Sequence, residues 1–343
     1  MAIGFREVSW MSSVDVVVPC YRYGHFLREC VQSVLTQSSV QVRVLILDDA
    51  SPDNTEEVAV ALAREDPRVT FVRHEVNRGH IATYNEGIDW ASADYFLLLS
   101  ADDYLLPGAL GRAADLLDTH QDVGLVIGHA TELRSDGETT AIRDVGFKDE
   151  SPEMILKGDQ FIDLCFPRNV VVTATAVVRT ALQKRVGGYR ADLPHAGDLE
   201  MWLRLAANAS VGVLNSFQAV CRRHGNNMSD AYFQQCWLPD IQQRMLVIDR
   251  FMGTCGHLLG DADRVHRRML RDLSEVAVGF ASQAFNKGDI DLSKRIEGMA
   301  LEIFAGVKMT PSWWKLACKR TVGLKGWRLV QPAVRKVQSF SKA

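Results

Sequence analysis

The chain has 343 residues, 47% of them hydrophobic and 24% charged, a composition that excludes a disordered polymer, a collagen-like repeat and a disulfide-dense miniprotein. Its 39 basic and 42 acidic side chains leave a formal charge of −3, so nucleic acid is not a default partner. The seven cysteines are scattered with no C-x-x-C pair, which argues against zinc or a disulfide framework and for a reducing compartment.

No apolar run approaches the ~18 residues of a spanning helix. Arg6 and Glu7 fall where a signal peptide would need an apolar stretch, so a cytoplasmic protein is expected. From Val14 to about Val220 short apolar runs alternate with helical periods. Val14–Val18 is the first predicted strand, ending in Pro19-Cys20-Tyr21, and Phe26–Leu35 follows with helical spacing. Val42–Leu47 leads through Asp48-Asp49-Ala50-Ser51 into a helix over Thr55–Arg64. Val69–Val72, a helix over Ile81–Trp90, and Tyr95–Leu99 come next, the last ending in Ser100-Ala101-Asp102-Asp103. A helix over Gly108–Leu117 and a strand over Gly124–Ile127 complete the series. Runs this short and this continuously apolar suit strands buried on both faces, so the fold class is α/β, a Rossmann-like, mostly parallel, doubly wound sheet. Beyond about residue 228 the strand pattern stops. Leu238–Met252, Ala262–Asn286 and Asp289–Phe304 have helical spacing and predict an α-helical C-terminal region over 230–306. Residues 307–343 are a basic tail: after Glu302 come nine Lys and Arg and no acid, whereas residues 1–302 hold 30 bases against 42 acids.

Ligands of doubly wound sheets lie beyond the carboxyl ends of the strands, so the residues following each run carry the chemistry. Adjacent Asp102 and Asp103 repel unless a cation or hydrogen-bond donors neutralise them, and carboxylates suit a hard divalent ion completed by phosphate oxygens. The plain alternative is a capped turn into the next helix. At Asp48 and Asp49 the choice lies between a solvated turn and an acceptor for the imide N–H of a uracil, with Tyr21 stacking on the base and Pro19 fixing the loop.

Taken together, VDVVVPCYRYGHFLRECVQSVLTQ, VLILDDASPDNT, NRGHIATYNEGI and YFLLLSADDYLLPGAL resemble the successive blocks of glycosyltransferase family 2, of the bacterial cell-surface glycan type. The resemblance runs from Val14 to Ser229 and marks 12–229 as the catalytic domain. It implies a GT-A fold, a nucleotide-sugar donor with UDP favoured, and Mn²⁺ or Mg²⁺. Donor contacts carry over to Pro19, Tyr21, Asp49, Arg78 and Gly79. The D-x-D-type motif falls on Ser100, Ala101, Asp102 and Asp103, where Ser100 replaces the commoner first Asp. Asp102 is the better metal candidate and Asp103 the second.

The segment GGYRADLPHAGDLEMWLRLA resembles the family's acceptor block and places Asp198 as catalytic base. An acceptor hydroxyl has a very high pKa, so a carboxylate must take its proton as the new bond forms. Asp198 also suits the N-cap of a helix over Leu199–Ala207, while Glu200 points elsewhere and is a poor second base. CRRHGNNMS, residues 221–229, resembles the closing segment. Its Arg222, Arg223 and His224 are candidates for the diphosphate or, for His224, the metal, against a plain basic surface loop.

The implied reaction is a single inverting displacement of hexosyl or N-acetylhexosaminyl type in glycan or polysaccharide biosynthesis. A dehydrogenase would want G-x-G-x-x-G after the first strand, and a P-loop enzyme G-x-x-x-x-G-K-[ST]; neither is present. Q-x-x-R-W and spanning helices, the marks of a processive synthase, are missing too. The other class of reading is a non-catalytic, transferase-like scaffold, for which Ser100 is the argument. In the tail, Trp313, Trp314 and Trp327 among the bases fit an interfacial segment at the inner face of an anionic membrane, which would suit a lipid-linked glycan acceptor. They fit equally a helix that packs its tryptophans and leaves its lysines solvated.

Overall fold

The computed structural model describes residues 11–340 except 144, 148, 149, 226 and 228–236. Arg6, Glu7, Cys236, Lys342 and positions 226, 228 and 229 of the closing motif lie outside the described residues. The chain divides into two compact units, Met1–Asn227 and Met228–Ala343.

The first unit is built on one sheet. Its strands are β1 (Ser13–Cys20), β2 (Gln41–Asp48), β3 (Val69–Arg73), β4 (Tyr95–Leu98) and β5 (Tyr104–Leu105), then β6 (Val123–Arg134), β7 (Thr139–Ile142), β8 (Glu153–Leu156), β9 (Val177–Arg179) and β10 (Ser210–Arg223). Their order is β3-β2-β1-β4-β9-β6-β10-β5, with β7 on β6 and β8 on β10. Helices α1 (Gly24–Leu35), α2 (Thr55–Glu65), α3 (His80–Trp90) and α4 (Ala109–Thr119) fall at the predicted periods. Then come α5 (Gly158–Cys165), α6 (Thr180–Val186) and α7 (Gly197–Ala206).

β1 shows why the apolar runs make central strands: Val16 and Val17 point to opposite faces and neither is exposed. Helix α3 approaches one face closely because Gly87 has no side chain; a Cβ there would stand 2.4 Å from Val17 Cγ1. The half β3-β2-β1-β4 is parallel throughout, as expected. From β9 onward both directions occur: β9 runs antiparallel to β4 and β6, β10 runs parallel to β6, and β5 and β8 run antiparallel to β10. β10 shifts register twice between Leu214 and Ala219. Its far end, pairing at Val220 with Tyr104, reaches the loop that follows β4.

The second unit is helical, with α8 (Leu238–Cys255), α9 (Ala262–Lys287), α10 (Ile290–Ile303) and α11 (Pro311–Phe340). Asp261 caps α9 by accepting from Arg264 N at 2.9 Å, and Asp289 caps α10 by accepting from Leu292 N at 2.9 Å. Helix α11 kinks at Gly323, whose φ of 75° is glycine territory. The tail reading with every lysine solvated needs correction: Lys319 is buried, and its Nζ donates to Ser282 Oγ at 2.6 Å and Asn286 Oδ1 at 3.1 Å. Arg320 likewise pairs with Glu297 and donates to Ser293 Oγ. Among the described residues no helix is long and apolar enough to cross a membrane.

Candidate active site

Asp49, just past the end of β2, is buried and already engaged. Oδ1 accepts from Arg78 N at 2.7 Å, and Oδ2 accepts from Gly79 N at 2.9 Å. His74 Nδ1 lies 2.7 Å from the same Oδ1, and its Nε2 lies 3.0 Å from Glu86 Oε2. The carboxylate therefore clamps the N-R-G turn to the end of β2, where Gly79 takes φ 82° ahead of α3. Asp48 points inward, accepts from Ser51 N at 2.9 Å and faces Arg73 Nε at 3.3 Å, so it is a turn anchor. Tyr21 is 40% exposed beside this loop, as a stacking surface must be. Pro19 is half-buried at the end of β1, and Arg78 is exposed, with its Nη1 3.1 Å from Glu86 Oε2.

After β4, Ser100 Oγ donates to Asp102 Oδ1, so the departure from D-x-D-D leaves a hydroxyl holding the carboxylate. Ala101 is fully buried. The other oxygen, Asp102 Oδ2, faces His224 Nε2 at 3.1 Å and accepts from Asn227 Nδ2 at 3.4 Å. The His224 ring stacks on Phe26 of α1 with centroids 5.4 Å apart. Asp103 turns the other way: Oδ1 accepts from Arg222 N at 3.0 Å. Burial and the adjacent Asp102 charge push Asp103 well above the ordinary carboxylate range, with Arg222 opposing.

Asp102 and His224 thus meet as a potential ion site. One carboxylate and one imidazole suit a Mn²⁺-type ion whose remaining positions are filled by phosphate oxygens. The expected third ligand, Asp103, is not brought to them. Among the described residues no three His, Cys, Asp or Glu side chains gather as a metal-holding group. Arg222 is also not free for a diphosphate, since Nη1 donates to Asp102 O at 2.6 Å and Nη2 pairs with Glu29. Arg223 lies 3.2 Å from Glu132.

Asp198 is half-buried in the first turn of α7. It is not the N-cap: Ala196 holds that position and the helix begins at Gly197, two residues earlier than an Asp198 cap would need. Oδ1 accepts from Leu199 N at 2.7 Å, and Oδ2 accepts from Asn169 Nδ2 at 2.8 Å. Nothing in the sequence signalled Asn169, a lone amide in a loop. Tyr84 and Tyr189 pack edge to face at 5.4 Å, and both phenols are pushed up, first by burial and then by the charge of Asp198. The charge of Asp102 adds to the push on Tyr84. Glu200, by contrast, is fully buried between Arg190 at 2.9 Å and Arg204 at 2.7 Å, so it is unavailable as a base. Cys20 and Cys165 are pushed up to about 12 by burial and remain neutral thiols.

Residues 15–171 match the family model for Glycosyl transferase family 2. An uncharacterized glycosyltransferase of Methanocaldococcus jannaschii is 24% identical over 197 residues, 57% of this chain and 65% of that protein. The glycosyltransferase GlyG of Streptococcus pneumoniae is 30% identical over 116 residues, 34% of this chain and 38% of that one. The chain thus spans less than two thirds of the length of these curated relatives. Among solved structures, S. aureus TarS 1-349 in complex with UDP-GlcNAc superposes with a TM-score of 0.59 at 19% identity, covering 84% of this chain and 92% of that one. The mannosyltransferase PcManGT from Pyrobaculum calidifontis, in complex with GDP-Man and Mn²⁺, gives 0.55 at 14% identity, covering 94% and 87%. These likenesses establish the GT-A fold.

Proposed function

Since the chain carries a glycosyltransferase family 2 domain, we propose that it moves a sugar from a nucleotide-sugar donor, with UDP favoured, to a hydroxyl of a glycan or lipid-linked glycan. The observation that carries this reading is that two carboxylates are held separately, Asp102 by His224 and Asp198 by Asn169. One suits the anionic leaving group and the other the incoming hydroxyl. The nucleotide sugars in the names of TarS and PcManGT support the donor class.

In this reading the Asp49 clamp sets the N-R-G turn beside the nucleotide, and Tyr21 offers its exposed ring to the base. Asp198 takes the proton of the acceptor hydroxyl as that oxygen attacks the anomeric carbon, opposite the leaving nucleotide, so the configuration inverts. Asp102 and His224 would hold Mn²⁺ or Mg²⁺, which when bound supplies positive charge for the diphosphate. The basic tail would bring the enzyme to the inner face of an anionic membrane. On α11, Trp314 is 61% and Val322 51% exposed, with Lys315 and Lys325 also in solvent, as is Lys308 just ahead of the helix.

Thermal unfolding with UDP, GDP and dTDP, each with Mn²⁺ and with chelator, tests the donor site. A nucleotide at a hundred times its dissociation constant should stabilise by about 2.7 kcal/mol, and the shift should vanish with chelator. Asp198→Asn should then lower transfer by roughly 10²–10⁴-fold and leave that shift intact. Absence of a shift with every nucleotide would favour the non-catalytic scaffold, for which Ser100 is the sequence argument.

A further inference from the structure

Asn169 sits where a side chain can act on the proposed base and on little else. Its backbone is left-handed, φ 53°, a conformation that asparagine tolerates better than most residues. Asn169 N donates to Cys165 O at 2.8 Å, tying the loop to the end of α5. Its Oδ1 accepts from Val171 N at 3.4 Å, which turns Nδ2 toward Asp198 Oδ2 at 2.8 Å. The backbone thus fixes which end of the amide faces the carboxylate.

From this we infer that Asn169 is the positioning residue of the base, holding Asp198 ionised and aimed. The inference rests on the reading of Asp198 as the acid that accepts the acceptor's proton. A donor to each carboxylate oxygen, Leu199 N on Oδ1 and Asn169 Nδ2 on Oδ2, favours the charged form and fixes the rotamer. Among the titratable groups whose fields meet Asp198 are Tyr84 on α3, Tyr189 ahead of α7 and Cys165 at the end of α5. Burial keeps all three protonated through neutral pH.

Asn169→Asp keeps the shape and replaces the donor with a second carboxylate. The two acids must then share a proton, so the acid limb of the kcat/KM profile should move up by at least about one pH unit. Its thermal midpoint at pH 8 should fall. The reciprocal swap Asn169→Asp with Asp198→Asn rebuilds the hydrogen bond with its polarity reversed, so it should recover the midpoint while transfer stays lost. A tie that merely anchors the loop would also lower stability, but would leave the acid limb in place. An unmoved limb in an active Asn169→Asp enzyme, or a swap no more stable than Asn169→Asp alone, overturns the role of Asn169. Wild-type protein that binds nucleotide but transfers to no acceptor overturns the reading of Asp198 instead; the midpoints of the swap still decide whether the pair is coupled.

Discussion

Asp49 could serve the nucleotide directly or through the loop it holds, and its contacts favour the second. Both oxygens accept from the N-R-G turn, and His74 adds a third contact from beneath. An amide at this position keeps one acceptor and turns a donor toward one of the two backbone N–H groups. Asp49→Asn should therefore lower the stability of the ligand-free protein by about 1–3 kcal/mol, as well as weakening nucleotide binding. A residue that only touched the base would leave the midpoint of the free protein unchanged, so denaturation without ligand separates the two roles. Ser100 shows the same logic with a milder outcome. The substitution for aspartate removes a charge, yet the hydroxyl still orients Asp102.

The elements of the parallel half were legible because each is a compact signal: five or so apolar residues, a turn, then a helical period. The antiparallel half was not. β9 has only three residues, and β10 changes register three times, which breaks the alternation that would have announced a strand. The carboxylates at the strand ends could be read from their position, and Arg78, Gly79 and His224 from the resemblance, but their other partners could not. Asn169, His74 and Asn227 come from loops whose neighbours in space are far away in sequence. Helix α11 teaches a related lesson, since a basic run looks solvated until the fold turns one cation inward. Burial, followed by the nearby charge of Lys315, pulls Lys319 down to about 8. The unfolded chain, with an ordinary lysine near 10.4, binds that proton more firmly than the folded one. The cost is thus complete below about pH 8 and relieved as pH rises toward the ordinary lysine range. Measured against Lys319→Met, the wild type should gain stability between pH 7 and pH 10; a constant gap would mean that water reaches the ammonium.

Across the whole molecule, charge is segregated along the chain: 30 bases against 42 acids through residue 302, then nine bases and no acid. An interfacial role for α11 predicts that the full chain pellets with vesicles containing anionic lipid and is released as salt rises. Trp314→Glu should weaken pelleting without changing the nucleotide-induced thermal shift. Pelleting that persists in that variant at high salt would place the lipid contact elsewhere. The long reach of β10 has a different consequence, one of timing. Asp102 meets His224 across 122 positions, and Asp103 meets Arg222 across 119, whereas Asp49 needs only residues through Gly79. During synthesis at ~5–20 residues per second, the Asp49 clamp can close many seconds before the Asp102 pair. On the proposed function, a nascent chain on the ribosome would pass through a stage with the N-R-G turn clamped and the Asp102–His224 pair still missing, and would become competent for a donor only when the last strand of the sheet has been delivered.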